Sequence, residues 1–503
     1  LTATLLISQL CNSDSDNDLW WHLKVGEVFL KETRSLELLD IFSFIRSFTD
    51  PFSFTAKELP WTNHEWLCQL LIAFFYEHFG SGSLIIGRGI LIAFTVASFG
   101  ELIRRFLPAT NLTALLLLLP LFVVAMGKGW GLRPQLFSYT FLPILFLIIS
   151  SNKAWHALTI SLLFSLWANL HGAFVVGIGV LGLNVLLTYP RYRAFLRAVL
   201  FLLGGFIGTL MTPYGFSLYS YIFAEIFIDH PITEWLPLNL FSLEHLPILI
   251  TFLLLLGSIR STWNTRDTLL RGSLLSAILF FLLALKSQRH TPIFMLFALL
   301  PIGLSLTPFS NFLKSASRHL IVIIIVFQIS LSIFRGLLLI NDVKWPLKIT
   351  YSTKDYPAYI VKTLKEIASY AKRPLNLSLP LEWGGYILYH NSPDIKVSLD
   401  GRFATLYNSK VIKANFDLIY GLNLEDNILI NDGLSDLILL PLEGAKYHFA
   451  NLKGYKPIAF SNNEVLFMHK DLPLIFEESV RKYFQAPRIL GSKSEEETTL
   501  FFP

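Results

Sequence analysis

Between Asp14 and Trp66 the chain carries a density of polar groups that the apolar runs beyond it lack. Asp14, Asp16 and Asp18 alternate, and Trp20, Trp21 and His22 follow at once. The stretch closes on His64 and Glu65, set between Trp61 and Trp66. Ionisable groups at a membrane boundary are costly to hold, so they point to chemistry. Alternate carboxylates suit a general base that takes a proton from a hydroxyl, or a chelator of a divalent cation. They also suit a plainer task, because Asp is a favoured helix N-cap. Asp18 could cap a helix over 19–31 and act as the base, with Asp16 as the second catalytic candidate. Trp20 and Trp21 lead an amphipathic stretch and suit a helix lying in the membrane interface. Trp21 is also a substrate-binding candidate, and His22 a further ligand. Glu65 has two readings: a metal ligand together with Asp16 and His64, or an acid at a helix N-terminus stabilised by the macrodipole. Neighbouring side chains on a helix diverge, so His64 and Glu65 share one ion only if the backbone bends.

A second set is basic. Arg133 precedes Pro134, His171 follows Asn169 and Leu170, and Arg289 and His290 are adjacent, each at the end of an apolar segment. Singly, such residues suit snorkelling anchors. Together on one face they suit an anionic head group, since guanidinium matches phosphate geometry.

The elements that must position these groups are membrane helices. The 503 residues are 53% hydrophobic and 15% charged, with mean hydropathy +0.54, whereas a soluble domain is about a quarter charged. Apolar runs at 66–79, 84–103, 112–126, 136–150, 155–170, 173–187, 199–211, 246–258, 274–285, 293–306 and 320–340 follow the first loop. With an apolar remnant at 1–10, read as a truncated first helix, that makes about twelve candidates. The basic loops holding Arg191, Arg193 and Arg197, then Arg260, Arg266 and Arg271, then Lys314 and Arg318, read as cytoplasmic. Alternation then places Arg133, His171, Arg289, the loop with Glu234 and everything after Asn341 outside. An external C-terminal region needs an odd number of spans, so one candidate, 66–79 or a neighbour, does not cross. The net charge of +5 belongs to orienting loops, and no basic helix or aromatic platform for nucleic acid is present. Two cysteines, Cys11 and Cys68, make no disulfide framework.

After Asn341 the charge rises and the apolar runs shorten. Residues 355–371 have helical spacing, 375–379, 395–399 and 434–440 read as strands, and 455–460 with 464–469 as a hairpin around a Ser-Asn-Asn turn. The expectation is a transmembrane domain over 1–340, with a catalytic first loop at 11–65, and a small α/β domain over 341–503 that packs on the external loops. Trp383-Gly-Gly-Tyr386 and Asp400-Gly-Arg402 are turn-rich motifs in it. No nucleotide fingerprint or P-loop occurs.

These motifs carry a resemblance over nearly the whole chain. Asp16 to Gly26, Asp50 to Thr55, Trp61 to Leu67, Arg133 to Ser138, Asn169 to Gly172, Arg289 to Pro292, Trp383 to Tyr386 and Asp400 to Arg402 resemble a group of bacterial polytopic membrane proteins. That group is related to the GT-C superfamily of membrane glycosyltransferases. In the aminoarabinose and protein-mannosyl transferases an acid follows the first helix, an amphipathic helix follows the acid, and a second charged motif opens the next membrane helix. Asp18 with 19–31, then His64 and Glu65, is similar in order, although Leu19 stands where those enzymes carry Glu. The resemblance implies a mostly α, GT-C-type bundle of about 11–13 helices in the bacterial inner membrane. It also implies a polyprenyl-phosphate-linked sugar as donor, an external active site and, in some members, a divalent metal ion. Two other readings remain: a non-catalytic scaffold in envelope polysaccharide assembly, and a lipid or solute transporter. A transporter's matching broken-helix halves are not visible here.

Overall fold

The structure is a computed structural model. It describes residues 16–108 except 58 and 60, 126–225 except 152 and 190, 233–306, and 348–472 except 354, 432 and 446–451, with short strands at 488–489 and 499–501. The apolar segments expected at 1–10 and 320–340, nearly all of 112–126, Cys11, Asp14, Lys314, Arg318 and most of the tail lie outside the described residues.

Twelve described α-helices precede residue 340. They are α1 Asn17–Thr33, α2 Leu38–Ser47, α3 Trp66–Phe79, α4 Ser81–Phe106, α5 Gln135–Ser150 and α6 His156–Leu170. After them come α7 Phe174–Thr188, α8 Tyr192–Thr209, α9 Ser217–Glu225, α10 Leu246–Asn264, α11 Thr268–Lys286 and α12 Thr291–Ser305. The chain forms two compact units. One comprises Leu1–Ser13, Gly82–Ser217 and Asp229–Leu347, the other Asp14–Ser81, Leu218–Ile228 and Lys348–Pro503. Composition alone drew a boundary at residue 340. The compact units instead group the first loop with the C-terminal region.

The first unit is the membrane part. Four described helices are long and apolar enough to cross a bilayer: α4, α8, Leu243–Asn264 (which contains α10) and α11. Helices α5, α6 and α7 are apolar but shorter. Their packing has the inverted logic of a helix pair in lipid. On α6, Leu158, Leu162 and Leu166 point outward and are exposed, as are Leu196, Leu200 and Leu203 on α8. The seam between these helices is made of small residues. A Cβ on Gly204 or Gly208 would stand 2.4 Å from the Ala157 carbonyl oxygen or 2.2 Å from that of Ser161. Lipid tails are as apolar as leucine, so close backbone approach rather than leucine burial joins such helices. The chain is a membrane protein. Helix α3 is 14 residues long, about 21 Å against a hydrocarbon core of about 30 Å. It packs along α1 within the second unit.

The second unit is built on a six-stranded mixed sheet in the order β3-β2-β4-β6-β5-β7. Its strands are β2 Leu375–Ser378, β3 Ile395–Val397, β4 Leu437–Pro441, β5 Tyr455–Phe460, β6 Glu464–His469 and β7 Arg488–Ile489. β1 Thr350–Ser352 pairs apart from it with β8 Thr499–Phe501. Helices α13 Ala358–Ser369, α14 Leu381–Asn391 and α15 Ser409–Tyr420 connect the strands. Parallel pairing of β2 with both β3 and β4 follows from those helical crossovers. The hairpin is as the sequence placed it: β5 and β6 are antiparallel, and Ser461 N donates to Glu464 O at 2.9 Å.

Three contacts bring the first loop into this unit. Its 52–54 backbone adds to the open edge of β3, with Val397 N donating to Phe52 O at 3.1 Å and Phe54 N to Val397 O at 3.2 Å. Helix α1 packs on α3, where a Cβ on Gly26 would stand 2.2 Å from Gln69 O. It also packs on α14, and there Trp20 is fully buried among Tyr351, Tyr356, Tyr386, Tyr389 and His390. Trp20 and Trp21 are therefore core residues of the second unit rather than the interface anchors expected from their pairing. Aromatic packing partners far along the chain outweigh the local amphipathic pattern.

The sheet also holds one costly group. Glu464, at the start of β6, is 1% exposed, and among the described residues neither carboxylate oxygen has a hydrogen-bond partner of ordinary geometry. Burial pushes its pKa up to about 7, against smaller opposing contributions from the backbone N–H groups of Asn463 and Glu464. A folded pKa above the unfolded value means that the folded state holds a proton the unfolded chain releases. Stability is then highest below about pH 4.5 and falls until about pH 7, by on the order of 3 kcal/mol. Glu464→Gln should therefore melt higher than the wild type at pH 8, with the difference vanishing towards pH 5. A difference that does not change between those pH values would show that the carboxyl is solvated.

Candidate functional site

In the second unit α1 opens the site. The cap is Asp16, whose Oδ1 accepts from Asp18 N at 3.0 Å. This corrects the expectation that Asp18 caps the helix. Asp18 lies inside the first turn and accepts from Trp21 Nε1 at 3.2 Å. Trp21 is buried, stacks on His22 with centroids 3.6 Å apart, and meets Trp61 edge-on at 6.1 Å. The two glycine motifs of the C-terminal region close on this helix end. A Cβ on Gly401 would stand 2.4 Å from Asp18 Oδ1 and 2.6 Å from Trp21 Nε1, and one on Gly385 3.1 Å from Asn17 O. Asn17 Oδ1 accepts from the Tyr356 hydroxyl at 2.8 Å.

Beside Gly401 runs a buried ion network. Arg402 donates to Asp400 through Nε at 2.8 Å and Nη2 at 2.6 Å, and to Asp50 through Nη1 at 2.5 Å. The Tyr407 hydroxyl donates to Asp400 Oδ2 at 2.6 Å, and the Trp61 ring lies 5.2 Å from the guanidinium. Burial opposes charge on Asp400, yet Arg402 and the Tyr407 hydroxyl hold its carboxyl below the usual range. Both ion pairs have fully buried side chains, so Arg402 holds protein to protein. Asp50 also accepts from Phe52 N, Ser53 N and Ser53 Oγ. The sequence carries a near-copy of this segment, Asp40-Ile-Phe-Ser-Phe44 against Asp50-Pro-Phe-Ser-Phe54, but Asp40 is exposed on α2, so the two are not equivalent.

The closing motif is set by a reciprocal amide pair, with Asn63 Nδ2 donating to Gln69 at 2.6 Å and Gln69 Nε2 to Asn63 at 3.0 Å. Glu65 then faces two imidazoles, His22 Nε2 at 3.9 Å and His64 Nε2 at 3.7 Å, and His64 stands against Tyr221. The backbone before α3 does turn His64 and Glu65 towards one another. Among the described residues, however, no group of three or more His, Cys, Asp or Glu gathers in a way that would hold a metal ion. Asp16, His64 and Glu65 do not meet that requirement, and no step below uses a metal.

The first unit gathers the basic candidates at the N-terminal end of α5. Arg133 Nη1 donates to Glu234 Oε1 at 2.6 Å. Arg289 lies over the Trp235 ring at 4.8 Å. Tyr139 lies within electrostatic reach of Arg133, Glu234 and Arg289 together. His290 is adjacent, and burial, then Arg289 and Lys286, lower its pKa to about 4. It is neutral at physiological pH and offers a hydrogen bond but no charge. His171 is tied inward: its Nδ1 is 2.7 Å from Ser138 Oγ, which accepts from Trp167 Nε1 at 2.7 Å. This binds α5 to α6.

Reading the sequence alone gave Glu234 and Trp235 only a place in an external loop that would shape a cleft, and left Tyr139 and Asp50 without roles. Glu234 carried a signal, being an acid in a loop assigned to the face of the arginines. Asp50 carried one only through its place in a repeated segment.

No protein-family model matches the chain, and no curated protein is similar to it in sequence. Among solved structures it is similar to the archaeal oligosaccharyltransferase AglB from Archaeoglobus fulgidus, in complex with an inhibitory peptide and a dolichol-phosphate. The likeness has a TM-score of 0.50 at 10% identity and covers 88% of this chain and 73% of that one. The chain thus shares the overall fold of that structure, and it is mostly helical with a small C-terminal sheet.

The contact of Gly401 with Asp18 is testable by size alone. Gly401→Ala places a methyl where Asp18 Oδ1 and the rigid Trp21 indole stand, so α1 must shift. Overpacking of this kind costs about 1–3 kcal/mol, and thermal unfolding should register it. A variant as stable as the wild type would mean that α1 and the Asp400 turn do not touch.

Proposed function

We propose that the chain is a glycosyltransferase that moves a sugar from a polyprenyl-phosphate donor to a hydroxyl of an envelope acceptor, on the external face of a bacterial inner membrane. The observation that carries this reading is the gathering of Arg133 and Arg289 around Glu234 and Trp235, at the ends of apolar helices, in a GT-C-like fold. Two guanidinium groups from separate loops, beside membrane helices, suit the phosphate of a lipid better than any neutral ligand.

In this account Asp18 takes the proton of the acceptor hydroxyl. The acceptor oxygen bonds to the anomeric carbon, and the carbon–oxygen bond to the phosphate breaks. Polyprenyl phosphate departs with the electron pair. Arg133 and Arg289 stabilise the charge that collects on the leaving phosphate, a contribution that grows along the reaction and so accelerates it. Neutral His290 adds one hydrogen bond. Trp21 supports Asp18 by its indole N–H, and the Arg402 network supports the turn on which Asp18 rests.

A non-catalytic scaffold is the second reading, and one observation favours it: three acids of the first loop have structural partners. Asp16 caps α1, Asp18 accepts from Trp21, and Asp50 holds Arg402. Transfer of a labelled sugar from a polyprenyl-phosphate donor by purified protein separates the two. Asp18→Asn keeps the shape and can still accept from Trp21 but is no base, so transfer should fall by about 10²–10⁴ with donor binding retained. Asp16→Asn should cost less. Undiminished transfer by the Asp18 variant removes it as the base, and no transfer by the wild type with any donor favours the scaffold.

A further inference from the structure

The phosphate site assigned above contains a carboxylate. Glu234 Oε1 sits 2.6 Å from Arg133 Nη1, where an oxygen of a bound phosphate would sit. We propose that Glu234 is a stand-in for the donor's phosphate, which holds Arg133 in its binding position and is displaced when a polyprenyl phosphate enters. The inference rests on the donor reading and adds a residue that competes with the ligand.

Three features of the structure support it. The pair is not sealed: the Arg133 and Glu234 side chains are 18% and 31% exposed, so an anion can reach it and the carboxylate can leave. The Glu234 backbone is held independently of its side chain. Ser287 Oγ donates to Glu234 O at 3.3 Å, and Gln288 N donates to Leu236 O at 3.0 Å. Rotation of the Glu234 side chain therefore need not move the loop. Arg289, the second cation, meets no carboxylate among the described residues, and its guanidinium is set by Trp235. A phosphate thus finds one guanidinium already open and one occupied.

The charges complete the argument. Arg133, Arg289 and Glu234 sum to one positive charge, while a phosphate monoester carries about −1.5 to −2 at pH 7. With Glu234 in place the site under-compensates the leaving polyprenyl phosphate. With Glu234 turned out, two cations face it. A partly exposed ion pair is a modest competitor, which suits a contact that must be exchanged at each turnover.

The test is equilibrium binding of a polyprenyl monophosphate, without sugar, to the full chain in nanodiscs. Glu234→Gln should bind the lipid about two- to five-fold more tightly than the wild type. In an Arg133→Ala background the same change should give no gain, since the two residues act on one another. Polyprenol, which lacks the phosphate, should bind wild type and variant alike. In a structure of the wild type with the lipid bound, the Glu234 carboxylate should have left Arg133. Unchanged or weaker binding by Glu234→Gln, an equal gain with polyprenol, or lipid bound with the 2.6 Å pair intact each overturns the stand-in while leaving the donor reading in place. A wild type that binds no polyprenyl phosphate overturns the donor reading and the stand-in with it.

Discussion

The second unit depends on one buried guanidinium. Arg402 is shared between Asp400, two residues before it, and Asp50, 352 residues away. A buried charge is tolerated only when its partners are in place, and removing one partner of a buried pair costs several kcal/mol. The network therefore enforces an assembly: the C-terminal sheet cannot reach its folded form without the first loop beside it. The same loop supplies an extra strand-like edge to β3, and Phe52 and Trp61 wall the guanidinium. Once that docking is fixed, Gly401 has no freedom but to lie against Asp18 and Trp21. The placement of the candidate base thus derives from an ion network it does not join.

The membrane unit works by a different rule. Its helices approach through glycine against backbone carbonyls and turn leucine outward. Its polar groups are concentrated where apolar helices end. There Arg133 pairs with Glu234, and Arg289 lies over the neighbouring Trp235. In a medium that penalises unsatisfied charge, such a gathering is retained only if its members satisfy one another or a ligand. The exchange of Glu234 for a phosphate lets the same arginines do both in turn.

Much of this was legible from the sequence, where the signal was local. The hairpin around Ser461 to Asn463 and strands β2 and β3 followed from short apolar runs between turn residues. The likeness to an oligosaccharyltransferase structure agrees with the helical membrane fold that the resemblance implied. What failed to show was non-local. Nothing near Asp50 says that it, and not Asp40, pairs with Arg402. Trp20 and Trp21 have the local look of interface residues, and only distant partners make them core: the tyrosines of β1, α14 and the turn before α13 around Trp20, and Trp61, Gly385 and Gly401 around Trp21. The cap belonged to Asp16 instead of Asp18 because a shift of two residues at a helix start leaves no trace in periodicity. The polar groups at the ends of apolar segments were visible as a class, but that Arg133 pairs with Glu234, 101 residues away, was not.

If the Arg402 network joins the first loop to the C-terminal region, loosening it must loosen both together. Hydrogen exchange on the full chain, wild type against Arg402→Met, tests this directly. The account predicts that α1, the 52–54 edge segment and strands β2 and β3 lose protection as one set, while α6 and α8 keep theirs. Loss confined to the C-terminal strands, with α1 and the first loop as protected as before, would contradict it.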